Sequence, residues 1–241
     1  MGPKAESLFH FTKSIEFLKG ILENGFKPRY CLEDTRYLGI DYIAFPMSCF
    51  CDIPISRISE HTSFYGEYGI GMTRDWGSRN SLEPLIYAPN SGAVTDFIND
   101  LTSVELADKL PDIAEEYKIV LCKHFDRILC LTKPIKGEML VGGEAVEKDF
   151  YQENEWRYVP KGYDLILHKN FEERRDKKNS EVETQALKFL PNDVKYIFVK
   201  SDYEIPIIFD FIQDNMGHLP LNEIKILCSR ITSIETISSD V

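Results

Sequence analysis

Apolar and polar positions along the chain switch between a period of two and a period near 3.6, and each switch marks an element. Leu8-Phe9-His10-Phe11-Thr12 reads as a strand. Over residues 13–24, Ile15, Leu18, Ile21 and Leu22 keep helical spacing, with Thr12 placed to cap and Asn24-Gly25 to stop the helix. Residues 29–42 show no clear period and read as a loop with at most a short element. Residues 44–53 form a second apolar run, broken by Pro46 and ended by Asp52-Ile53-Pro54. Residues 55–64 read as a short helix and loop containing His61. Thr73 caps a helical turn, and residues 83–88 form a third strand.

A long helical stretch follows. Residues 91–109 make one amphipathic helix, and Pro111 suits the first turn of the next. Ile113, Tyr117, Val120, Leu121, His124, Ile128 and Leu131 then line up as a stripe, which makes His124 a core histidine. The pair reads as an insertion or cap, about 91–133, over the sheet of a single domain spanning 1–241. Residues 133–143 suggest a loop or hairpin. Residues 151–158 and 163–168 read as paired strands, 181–189 as a short helix, and 193–200 as a strand. Residues 205–215 read as a helix with Pro206 in its first turn, and 223–228 as a final strand before a frayed tail. The order is that of an α+β fold.

Composition narrows the function classes. The 28 basic and 39 acidic residues leave a net charge of −11, which argues against non-specific nucleic-acid binding. The one dense charge run, residues 171–178, mixes signs and reads as a solvated loop or helix end. Six cysteines show no C-x-x-C pair, so a metal knuckle is unsupported and reduced thiols in the cytoplasm are expected. Cys49 and Cys51 would share a strand face. No apolar run reaches the length of a membrane span.

The densest chemistry lies at Tyr151-Gln152-Glu153-Asn154-Glu155-Trp156-Arg157-Tyr158. As one strand it puts Tyr151, Glu153, Glu155 and Arg157 on a single face, where Arg157 separates the repelling carboxylates. The same residues also suit an edge strand with a surface ion pair of little energetic weight. His10 and Thr12 share a face at the end of the first strand. Tyr65-Gly66-Glu67-Tyr68-Gly69-Ile70-Gly71 lacks the lysine and hydroxyl of a phosphate loop, and its G-x-G matches only part of a dinucleotide fingerprint. Its tyrosines suit stacking on a flat ring, or plain packing beside a tight turn.

These stretches, with Pro46-Met47-Ser48-Cys49-Phe50-Cys51-Asp52-Ile53-Pro54 and His61, resemble the AbiGi family of abortive phage resistance proteins over most of the chain. That resemblance implies an antitoxin or immunity role beside a partner toxin in bacterial defence. A more distant likeness is to ADP-ribosyltransferase-like folds, which implies a mixed sheet with NAD as substrate. It maps the early-strand histidine to His10, the tyrosine to Tyr68 or Tyr65, and the late-strand glutamate to Glu155, with Glu153 beside it. In that mapping Glu155, His10 and Tyr68 are catalytic, and Thr12, Tyr65, Glu153 and Arg157 contact or orient the ligand. No metal is required. The implied activity is that of an NAD-dependent ADP-ribosyltransferase or NAD glycohydrolase acting on a macromolecular target or on NAD itself. A catalytically silent antitoxin is the alternative.

Overall fold

One long strand organises the molecule. In the computed structural model, which describes residues 6–102, 115–141 and 144–239, Ile43–Cys51 (β3) is apolar on both faces and carries partners along both edges. Along one edge run Ser7–Thr12 (β1), meeting β3 at Phe9 and Cys51, and then Arg29–Glu33 (β2), from Arg29 opposite Met47 to Glu33 opposite Ile43. Along the other run Glu155–Tyr158 (β10), opposite Cys51 to Ser48, and Ile166–Leu167 (β11), opposite Ala44 and Ile43. Beyond β1 the sheet continues through Tyr68–Thr73 (β4), Val194–Val199 (β12) and Ile231–Ser233 (β13); beyond β10 lies Glu83–Pro84 (β5). The last pair, β12 with β13, is parallel and the rest antiparallel, so the fold is α+β with a mixed sheet.

Helices cover both faces. On one, Ile15–Asn24 (α1), Arg74–Arg79 (α3), Ile205–Asn215 and Leu221–Cys228 close over Leu8, Phe50, Ile70, Met72 and Trp76. On the other, Ile58–Tyr65 (α2) and Ile234–Ser239 cover Phe9, Phe11, Cys51 and Phe198. Between Ile86–Ala88 (β6) and Thr132–Pro134 (β7), a parallel pair outside the main sheet, lie the helices Ala93–Thr102 and Glu115–Cys130. Their buried Ile98, Leu129 and Cys130 pack on Phe45 and Met47 of β3. A separate hairpin, Lys136–Val141 (β8) and Glu144–Asp149 (β9), follows. Among the described residues no helix is long and apolar enough to cross a membrane.

Several sequence expectations change. The cap of α1 is Ser14, whose Oγ accepts from Phe17 N at 3.3 Å, because Thr12 is still held in β1 opposite Tyr68. Residues 29–42 contain β2, whose pattern is masked because its two faces are partly exposed at one end and charged at the other. Pro46 stays inside β3, in the stretch between the β10 and β11 registers where that edge has no ladder to interrupt. Residues 83–88 split into β5 and β6. The charge run 171–178 lies in a helix, Phe171–Val182, rather than preceding one at 181–189. Its charged residues are good helix formers but supply no apolar stripe. Residues 223–228 are helical, since Ile224 and Leu227 bury at a spacing of three. His124 is exposed, along with Tyr117, Val120 and Leu121 at 62, 50 and 53 %, so it is not a core histidine: only the last turn of its helix is anchored. Residues 1–5 and 103–114, including Pro111 and Ile113, lie outside the described residues.

Candidate functional site

The long strand proposed for residues 151–158 is two elements. Phe150–Glu153 is a 3-10 turn, Asn154 takes a left-handed conformation at φ 44°, and only Glu155–Tyr158 is strand. Asn154 is held there by Asp52: its side-chain amide donates to the Asp52 carbonyl, and Asp52 N donates to the Asn154 carbonyl. β10 then pairs β3 and β5, not residues 163–168, so the expected hairpin does not form. Glu155 and Arg157 remain on one face, as the period-two argument requires. That face is the interior: the Arg157 side chain is 0 % and the Glu155 side chain 6 % exposed, which removes the surface ion-pair reading.

These groups build a buried network of three carboxylates and three cations. Arg157 Nε lies 2.6 Å from Glu155 Oε1, its Nη2 2.8 Å from Glu33 Oε2, and its Nη1 donates to the Cys130 carbonyl at 2.6 Å. Lys133, from β7, lies 2.8 Å from Glu155 Oε2, 3.1 Å from Glu153 Oε2 and 3.9 Å from Glu33. Lys148, from β9, lies 2.6 Å from Glu153 Oε1 and rests over the rings of Phe64 and Tyr65. The Tyr87 hydroxyl accepts from Glu155 N at 2.7 Å. Charges this deep persist only when paired and hydrogen-bonded. Burial opposes ionisation of Glu155, but Arg157 and then Lys133 outweigh it and hold the carboxyl well below the usual range. Glu153 is likewise lowered against burial, chiefly by Lys133. Burial lowers Lys148, while at Lys133 the three glutamates overcome the same burial and raise it.

A cavity of about 540 Å³ opens where β1 and β2 part along their shared edge of β3. It passes between the two faces of the sheet. His10 and Thr12 line one side, Glu153, Glu155, Lys133, Tyr65 and His61 the other. The volume is in the range of small-ligand sites, about 300–1,000 Å³. His10 Nδ1 lies 2.8 Å from the Cys49 carbonyl, across the stretch of β3 that neither neighbour pairs. A carbonyl can only accept, so Nδ1 carries the proton and Nε2 is left as an acceptor. Burial lowers the pKa of His10, keeping it neutral. Burial also lowers His61, to about 4, where its ring lies 4.5 Å from that of Tyr65. The Tyr65 hydroxyl donates to Glu153 Oε1 at 2.5 Å, and burial raises its pKa.

Of the residues proposed from sequence, His10, Thr12, Tyr65, Glu153 and Glu155 all line this cavity, but the strand registers place His10 and Thr12, with Phe50, on the opposite face of the sheet from Cys51, Glu155 and Arg157. Arg157 lies behind Glu155 without lining the cavity. Tyr68 does not line it: it stands opposite Thr12, on the same face of the sheet, and its hydroxyl donates to Glu204 at 2.7 Å. The glycine-rich turn serves chain packing rather than phosphate. Gly66, at φ 107°, would drive a Cβ to 2.2 Å from the Thr12 carbonyl, and a Cβ on Gly71 would meet the rings of Phe9 and Tyr196 at 2.9–3.0 Å. Sequence reasoning missed Glu33, Lys133 and Lys148, which sit in segments without a clear period, and Tyr87, which lies in the stretch read as one strand over 83–88. All six cysteines are free, and among the described residues no group of His, Cys, Asp and Glu is arranged to hold a metal.

A family model described as "Putative abortive phage resistance protein AbiGi, antitoxin" matches residues 24–200, which include Tyr65, Lys133, Glu153 and Glu155 but not His10. The "Abortive phage resistance protein AbiGi" of Lactococcus lactis subsp. cremoris is 29% identical over 248 residues, covering 89% of this chain and 99% of that protein. No solved structure matches the chain.

Proposed function

The chain belongs to the AbiGi family of abortive phage resistance proteins, and we propose that it serves anti-phage defence through an ADP-ribosyltransferase-like site that takes NAD into the cavity between β1 and β3. The observation that carries this reading is one shared cavity lined by His10 and Thr12 from the first strand and by Glu153 and Glu155 from the late one. Cleavage of NAD at its nicotinamide develops positive charge on the ribose. An ionised carboxylate fixed in a water-poor site stabilises such charge without having to reorganise. Glu155 is held ionised and fixed, and its oxygens retain lone pairs beyond those that Arg157 and Lys133 occupy. His10 offers Nε2 to a ribose hydroxyl, Thr12 a second polar contact, and Tyr65 a ring for the nicotinamide. Arg157 orients Glu155. Transfer to a macromolecule and hydrolysis differ only in the acceptor that then attacks.

The test is NAD consumption and calorimetric NAD binding by the purified protein beside Glu155→Gln. Turnover by the wild type and its loss in the variant are expected. Intact NAD and no binding heat with both proteins would sink the enzyme reading.

A second reading is a silent antitoxin that binds a partner toxin. It is favoured by the word antitoxin in the family description and by Arg157 and Lys133 already engaging both Glu155 oxygens. It requires a neighbouring gene product that co-purifies and whose toxicity this protein suppresses. Unaltered toxicity on co-expression would reject it.

A further inference from the structure

Alternation along β2 puts Arg29, Cys31 and Glu33 on one face, and all three line the cavity. Their register opposite Met47, Phe45 and Ile43 makes this the face that carries Cys49, Cys51 and Glu155. The row runs from the buried network, where Glu33 meets Arg157, to the exposed end of the strand at Arg29. Four residues of strand separate the two ends by about 13 Å.

The charges along that row are unequal. At the inner end Lys133 is saturated by three carboxylates, and Arg157 by two and a carbonyl. Near the outer end Lys27 is paired with Glu183 at 3.2 Å. Arg29 has no carboxylate partner among the described residues. In a chain of net charge −11 an unpaired guanidinium at the rim of the main cavity is a standing anion site, and its forked donors match phosphate oxygens.

We propose that Arg29 binds the diphosphate of the ligand, so that the nucleotide lies along β2 with its phosphates at the rim and its ribose hydroxyls at Glu155. The assignment rests on the NAD reading above and adds to it a direction and a selectivity: phosphorylated nucleotides are taken in preference to nucleosides.

Calorimetric binding of NAD, ADP-ribose and nicotinamide riboside to the wild type, Arg29→Ala and Arg29→Lys tests it. Arg29→Ala is expected to weaken NAD and ADP-ribose about tenfold or more, the scale of one charge-assisted hydrogen bond. Arg29→Lys should recover part of that loss, and nicotinamide riboside should bind all three proteins alike. Rising salt should weaken NAD binding to the wild type more than to Arg29→Ala. Unchanged NAD affinity in Arg29→Ala, or equal losses for NAD and the riboside, would overturn the assignment while leaving the NAD reading intact. Wild-type protein that binds neither NAD nor ADP-ribose would overturn both. Arg29 is exposed, so an unchanged unfolding midpoint in Arg29→Ala checks that the fold is not at issue.

Discussion

Lys133 Nζ lies 2.8 Å from Glu155 Oε2, and the same ammonium reaches Glu153 at 3.1 Å. The two side chains are 7 and 6 % exposed. One cation from the strand after the helical pair thus allows two glutamates from a later turn and strand to stay ionised side by side.

Removing that cation leaves buried carboxylates under-compensated. Lys133→Met is expected to lower stability by about 3–5 kcal/mol, the usual result of breaking a buried pair from one side. Urea unfolding measures it. Adding Glu153→Gln should recover part of the loss, because one of the stranded charges is then gone; two additive losses would show that the groups are not coupled.

The two candidate tyrosines separate cleanly. Tyr65→Phe takes a hydrogen bond from Glu153, while Tyr68→Phe takes one from Glu204. If NAD is consumed, Tyr65→Phe should reduce kcat/KM about tenfold, and Tyr68→Phe should leave it within about twofold. Equal effects from both variants would contradict the placement of the cavity.

Acid should destabilise the fold in two stages. Burial lowers His10 and His61, the latter to about 4 from 6.5, so between those values the unfolded chain binds more protons than the folded one. Stability therefore falls as pH drops through that window. Below it the depressed Glu153 and Glu155 act in the same direction: their contribution, complete above the ordinary carboxyl range, is lost as pH falls through their folded values. His61→Phe keeps the ring contacts and should remove up to about 3 kcal/mol of the change between pH 6.5 and 4. An unaltered slope of urea stability against pH in that variant would rule His61 out.

Two glycine substitutions should differ in cost. Gly66→Ala forces a Cβ onto the Thr12 carbonyl at a positive φ and is expected to cost more than about 2 kcal/mol. Gly162 also has a positive φ, 83°, but faces open space, so Gly162→Ala should cost only about 1 kcal/mol. Thermal unfolding of the two variants compares them.

The elements with one clean period were legible from residue order alone: β1, α1, β12 and the helix 205–215 follow from which side of each must be buried, and β3 from its continuous apolar run. So did the sharing of one face by Glu155 and Arg157, because alternation along a strand is local geometry. Which face was interior was not local. It depended on the helical pair and β7 closing over β3, and this turned a plausible surface pair into a buried network. Glu33 is distant in sequence from Lys133 and Lys148, and no spacing rule links the three; only the pairing of β2 with β3 and the return of β7 and β9 bring them together. Tyr65 and Tyr68 are three residues apart and were indistinguishable in the sequence. Gly66 lets the chain turn between them, and that turn sends one ring to the cavity and the other to the opposite face of the sheet.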